Sequence, residues 1–249
     1  SKMGLTITNR GGDYESLDAG RYKAICYKIV DAGTRLESFK GGKPKPRTLV
    51  YLYWEVTHMQ MGEDGDEFWD ELRMEDGRRF SISKKYTSSM NENATLFLEL
   101  KSWRGKKFTD EEIAGFDITK LLGKTCEFDV VTYQKSDNKG TGTAVEGIYK
   151  PEGGVKAVET ENDQVIFDID IYSKEFTGES DEASKEMCDV WDDMPDWMKE
   201  MIEESMEVKA AKTKGASKPQ TAPAPAAESG GLADLAKDDE PEEEEDVPF

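Results

Sequence analysis

Histidine and cysteine are nearly missing: among 249 residues there is one histidine, His58, and three cysteines, Cys26, Cys126 and Cys188. A single histidine leaves no Cys/His set for zinc and no His-Glu-x-x-His helix. The cysteines are too scattered for a paired framework and suit buried apolar roles in a reducing compartment. No apolar run approaches the ~18 residues of a membrane helix. The first residues hold no apolar leader core, and Met3 reads as the native start. A Gly-x-x-x-x-Gly-Lys-Ser/Thr phosphate loop is also absent, and Gly140-x-Gly142 with Gly147 falls in a hairpin pattern rather than at a strand-to-helix turn. The expectation is a cytoplasmic protein that is not an enzyme, with no metal and no cofactor. Asp64, Asp66, Glu67, Asp70 and Glu71 can be drawn as a two-metal nuclease cluster, but a solvated acidic hairpin accounts for them with less.

Positive charge is scarce as well. The chain has 33 Lys and Arg against 53 Asp and Glu, a net −20, which at first sight excludes a nucleic-acid partner. Distribution reverses that impression. Residues 1–160 carry 25 cations and 26 anions, whereas residues 161–249 carry 8 and 27. The excess acid is C-terminal, as expected of a nucleic-acid module with an acidic tail.

That tail ends on residues 238–249, of which eight are acidic. So charged a run cannot bury enough apolar area to offset chain entropy and is expected to be disordered. Its last residues, Asp246, Val247, Pro248 and Phe249, offer a ring, a stiff turn and a carboxylate, which suit a small pocket with a basic rim. A plain solubility tail is the alternative reading.

Along the chain, residues 1–19 read as a loose arm. Gly20 to Asp31 is a strand by its β-formers, and Thr34 to Thr48 a loop broken by Gly41-Gly42, Pro44 and Pro46. That loop gathers Arg35, Lys40, Lys43, Lys45 and Arg47 against Glu37 alone. Leu49 to Thr57 is the strongest strand. Val50, Leu52, Trp54 and Val56 form its core face, leaving Tyr51 and Tyr53 on a more exposed one. Phe68 to Met74 is a candidate hairpin strand. Arg78 to Tyr86 follows, with Phe80 and Ile82 inward and Arg79, Ser81, Ser83 and Lys85 outward. Asn93 is placed to cap a helix from Ala94 to Trp103 that stops at Gly105. Lys101, Arg104, Lys106 and Lys107 at its end either complement the helix dipole or meet a ligand. Thr109 to Glu112 has the pattern of a capping box, and a short turn closes at Gly123. Thr125 to Tyr133 and Thr143 to Tyr149 pair as strands. Val165 to Tyr172 alternates as an edge strand. Residues 182–208 are helical with a break at Pro195. Their stripe of Met187, Val190, Trp191, Met194, Trp197, Met201 and Ile202 reads as packing on the barrel or on a second subunit, ahead of a separate ligand site. Residues 209–237 form a flexible linker by composition.

A single-strand binder needs cations for phosphates and aromatic faces for bases. Tyr27, Tyr51, Tyr53, Tyr86 and Trp103 lie among Lys28, Arg47, Arg79, Lys84, Lys85 and Arg104, and the basic loop adds to them. Core packing is the plain reading of each ring alone. The fold expected from the element order is mainly β, a five-stranded Greek-key barrel of the OB type. Its helix falls between strands 3 and 4, with a C-terminal helical segment and an acidic tail appended. The domain reading is 20–160 for the barrel, 161–208 for the extension, 209–237 for the linker and 238–249 for the tip.

Gly20-x-Tyr22-x-Ala24, Ile82-Ser-Lys-Lys-Tyr-Thr87, Trp103-Arg-Gly105, Phe116-Asp-Ile-x-x-Leu-Leu-Gly123 and Pro195-x-Trp197 resemble a tailed-bacteriophage family of OB-fold replication proteins that bind single-stranded DNA. The acidic Pro-Phe ending resembles the tip of bacterial single-stranded DNA-binding proteins. The resemblance implies a protein of phage DNA replication and recombination, in the host bacterial cytoplasm, that coats single strands. Its tip would recruit a polymerase, primase, helicase or nuclease, and homo-oligomerisation stays open. The competing reading is an acidic interaction adaptor or DNA mimic without direct DNA binding.

Overall fold

The computed structural model describes residues 16–38, 41–63, 66–135, 140–153 and 158–216. The terminal arm up to residue 15, Lys40, and the whole acidic tip with Asp246, Val247, Pro248 and Phe249 lie outside the described residues. The architecture is mainly β, with seven strands in one sheet among the described residues rather than five. The strands are β1 (Gly20–Glu37), β2 (Lys45–Met61), β3 (Phe68–Glu71), β4 (Ser81–Thr87), β5 (Thr125–Gln134), β6 (Thr141–Tyr149) and β7 (Val165–Phe167). The order β3-β2-β1-β5-β6 is antiparallel throughout; β4 joins β2 antiparallel, and β7 joins β1 parallel. The helices are α1 (Thr95–Arg104), α2 (Asp110–Ala114), α3 (Ile169–Thr177), α4 (Glu182–Asp192), α5 (Asp196–Glu203) and α6 (Met206–Ala216). None of them is long and apolar enough to cross a membrane.

Strand β1 is the spine, pairing with β2, β5 and β7. Three register shifts against β2 bend it, with Tyr27 the extra residue between the Cys26–Trp54 and Lys28–Tyr53 pairs. A bulge of this kind re-aims side chains, so one strand can serve two layers. On one face Tyr22, Ala24, Cys26, Val50, Leu52, Trp54, Val56 and Phe128 form a core closed by Leu96, Phe97, Leu100 and Trp103 of α1. On the other face Val30, Ala32, Leu49 and Tyr51 meet Phe167, Ile169, Tyr172, Met194, Met198, Ile202 and Val208. Alternation along β2 therefore separated its two faces correctly, but the face expected to be more exposed is covered at Leu49, Tyr51 and Glu55, and the amphipathic stripe lands on it.

Several boundaries differ from expectation. The loop is shorter than residues 34–48, because β1 runs to Glu37 and β2 starts at Lys45, with Pro46 near a strand start, where it is tolerated. Gly33 makes this extension work. Its φ is +72°, and an added Cβ would lie 2.5 Å from Ile169 Cδ1 and 2.7 Å from Ser205 Cβ, so the C-terminal helices approach here as closely as glycine allows. Helix α1 is not capped by Asn93. Asn91 takes the Asn93 N–H on its side chain at 3.0 Å, and Ala94 stands at the cap position without a side-chain bond. Gly105 does close that helix in the left-handed region, φ 64°, and Thr109 with Glu112 forms the full capping box. The alternation at 165–172 is mostly not strand. Asp168 accepts the N–H groups of Asp170 and Ile171, so α3 begins at Ile169 and buries Ile169, Tyr172 and Ser173 at helical spacing. Helix α6 carries residues 209–216, assigned to linker by composition, and buries Val208 and Ala211.

Candidate nucleic-acid interface

The residues expected to contact DNA divide between the two faces of the sheet, and burial decides which can meet a ligand. Trp103 and Tyr86 belong to the core on the Trp54 side. The Trp103 ring lies 6.3 Å from Trp54 and its Nε1 donates to the Thr125 carbonyl at 2.6 Å. The Tyr86 hydroxyl donates to Glu99 at 2.6 Å, and burial, with the Glu99 charge beside it, pushes that phenol well above its usual range. Neither ring offers a face to a base. Lys84 is paired with the same Glu99 at 2.6 Å. Arg104 forks onto Glu112 at 2.6 and 3.1 Å and lies 4.3 Å from the Phe108 centroid. Lys106 and Lys107 are exposed beyond the end of α1, the helix that packs on the Trp54 side, so they do not share a surface with Tyr53.

Arg79 does not face outward as expected. It is buried, and its guanidinium donates to Glu55 Oε1 at 2.6 Å and to the Glu159 carbonyl at 2.9 Å. Glu55 is fully buried and also accepts the N–H groups of Glu161 and Asn162 and the Asn162 amide. Burial alone would raise the Glu55 carboxyl, but these donors outweigh it and hold it below the ordinary range. The pair clips the 159–162 segment to the sheet. A buried arginine so occupied is structural.

What remains is a strip on the face opposite Trp54. Ser81, Ser83 and Lys85 of β4 stand beside Glu55, Tyr53 and Tyr51 of β2, in strict register. The bulge turns Tyr27 onto this face, where its hydroxyl bonds Ser81 Oγ at 2.7 Å and its ring meets Tyr53 edge-on at 6.4 Å. Burial raises both phenols, against the opposing effect of the Ser81 and Ser83 hydroxyls. Lys28 Nζ lies 5.6 Å from the Tyr53 ring, and partial burial lowers its ammonium despite the Asp193 charge nearby. Tyr27, Lys28 and Tyr53 are each half-buried and reachable.

Tyr51 is not reachable. Helix α5 covers it, leaving 7% exposed, with its hydroxyl 3.3 Å from Met201 Sδ and the Trp197 ring 5.6 Å away. Beyond it the strip ends in cations. Lys85 pairs with Glu37 at 3.2 Å and Arg35 with Glu204 at 2.9 Å. Arg47 is half-buried, and Lys43 and Lys45 are exposed. Solvent-exposed ion pairs are worth about 0–1 kcal/mol, so a phosphate can replace Glu37 or Glu204 at little cost. Among the described residues no group of three or more His, Cys, Asp or Glu is placed to hold a metal ion.

Trp197 escaped sequence reasoning. Helical spacing put it in the packing stripe, yet it is 47% exposed while Met194, Met198 and Ile202 carry the burial. No family model matches the chain, and no curated protein sequence is close enough to it to count as a relative.

Proposed function

We propose that the chain is a single-stranded DNA-binding protein on an OB-type barrel, used in phage DNA replication or recombination. In this reading β1, β2, β4, β5 and β6 are the five barrel strands, α1 falls between the third and fourth, and β3, β7 and the C-terminal helices are additions. The strip of Tyr27, Lys28 and Tyr53 takes bases and phosphates, and the arm of Arg35, Lys43, Lys45, Arg47 and Lys85 continues the phosphate track. The acidic tip recruits partner enzymes.

The observation that supports this best is the edge-to-face pair of Tyr27 and Tyr53, half-buried but reachable beside Lys28. Rings that are partly exposed and held in place by their neighbours are suited to stacking, at roughly 1–3 kcal/mol per base without sequence preference. The test is titration of labelled oligo-dT and of duplex at two salt concentrations. Affinity for oligo-dT should fall by about 0.7 log unit per log unit of salt for each phosphate neutralised, with duplex much weaker. Equal affinity for both forms would refute the proposal. No binding to either would favour the acidic adaptor instead.

A further inference from the structure

Helix α5 buries Tyr51 in the middle of the strip, which at first sight interrupts the aromatic track between Tyr53 and the cationic arm. The same helix carries Trp197 directly over Tyr51, tilted at 57° with ring centroids 5.6 Å apart. The indole is 47% exposed. We infer that Trp197 is a base-stacking residue that replaces Tyr51 at the surface and makes the strip continuous. This inference rests on the single-strand reading above and adds to it a contact from outside the barrel strands.

Two alternatives fail on physical grounds. A packing role alone, on Tyr51, leaves the exposed half of the Trp197 ring unused, unlike the enclosed rings of Trp54 and Trp103. Were α5 a lid that lifts to bare Tyr51, ligand binding would have to expose Met194, Met198 and Ile202, at 4%, 0% and 0% exposure. The loss of that burial exceeds what stacking one base returns. The helix therefore stays, and its exposed ring is part of the fixed surface. Tyr51 backs the indole from behind, which holds the platform in one orientation. Asp193 and Glu204 stand near Lys28 and Arg35. A phosphate can displace the exposed Glu204 from Arg35, so the backbone runs along Lys85 and the arm while bases turn toward Trp197.

The experiment uses the full chain with oligo-dT carrying 5-bromodeoxyuridine, irradiated and mapped by mass spectrometry, beside titrations of Trp197→Ala and Trp197→Phe. An adduct on Trp197, a loss of about 5- to 150-fold in affinity for Trp197→Ala with melting temperature nearly unchanged, and a much smaller loss for Trp197→Phe are expected for one stacked base. Adducts on Tyr27 or Tyr53 without one on Trp197 overturn the inference, whatever Trp197→Ala does, and leave the single-strand reading standing. Failure of the unaltered chain to bind oligo-dT at low salt overturns both.

Discussion

Replacing Glu55 by alanine isolates the energetics of the buried clip. The carboxylate has no solvent exposure and accepts from Arg79, from the Glu161 and Asn162 N–H groups and from the Asn162 amide, at 2.6–2.9 Å. Its loss strands a guanidinium whose side chain is 5% exposed, left with the Glu159 carbonyl at 2.9 Å and the half-exposed Glu161 carboxylate 3.4 Å away. Breaking a buried pair by removing one member costs about 3–5 kcal/mol, a large part of a total stability of about 5–15 kcal/mol. Urea denaturation should show that fall as a lower midpoint at unchanged slope. Hydrogen exchange should rise first at Glu161 and Asn162, whose amides lose their acceptor. The double change Glu55→Met with Arg79→Met removes both charges and should be milder than either single change. It should also keep oligo-dT affinity, because Arg79 faces the clip. The Glu55 carboxyl lies below its ordinary value when folded. Its contribution is therefore complete above the unfolded value of about 4.3 and is lost as pH falls through the lower folded one. Glu55→Gln should lack that acid-side loss. A cost below about 1 kcal/mol for Glu55→Ala would show the clip to be solvated, and the reasoning from burial would fail.

Asp31 gives the opposite sign. Burial raises its carboxyl to about 6, with Asp168, Glu207 and Asp170 adding to the effect against the Gly33 N–H bond. Ionised Asp31 therefore disfavours the fold above pH 6, and the penalty fades as pH falls toward the unfolded value of about 3.9. Asp31→Asn should raise the melting temperature at pH 7.5 and change it little at pH 4. Trp54→Ala should cost about 3–5 kcal/mol in denaturant titration, whereas Tyr53→Ala should weaken oligo-dT binding with a far smaller stability change. A Cβ at Gly33 would collide with Ile169 and Ser205, so Gly33→Ala should loosen the C-terminal helices, read as faster proteolysis within 165–216. Deleting residues 238–249, eight of them acidic, should raise affinity for oligo-dT most at low salt, where repulsion between those acids and the phosphates is least screened.

Local rules carried far in this chain. Alternation placed Trp54 in the core and Tyr53 opposite, and Thr109, Glu112 and Gly105 marked their caps as local chemistry demands. The site was less legible, because alternation separates faces without telling what lands on them. Tyr51 and Tyr53 are indistinguishable in sequence, yet a helix about 145 residues later covers one and leaves the other half-buried. Arg79 read as an outward cation because its partner lies on the neighbouring strand. Tyr27 reaches the strip through a bulge, which shifts side-chain phase without a local residue signature.

The layering on β1 also has a consequence for synthesis. Val30, Ala32, Leu49 and Tyr51 leave the ribosome early, but the side chains that cover them, from Phe167 to Val208, follow well over a hundred residues later. Until then a nascent chain carries an apolar sheet face open to water, alongside a strand whose β7 partner does not yet exist. Contacts so distant in sequence close slowly and leave adhesive intermediates. A fragment ending near residue 160 should therefore hold its inner core yet clump through that bare face, and delayed completion of the C-terminal helices should draw chaperones to it.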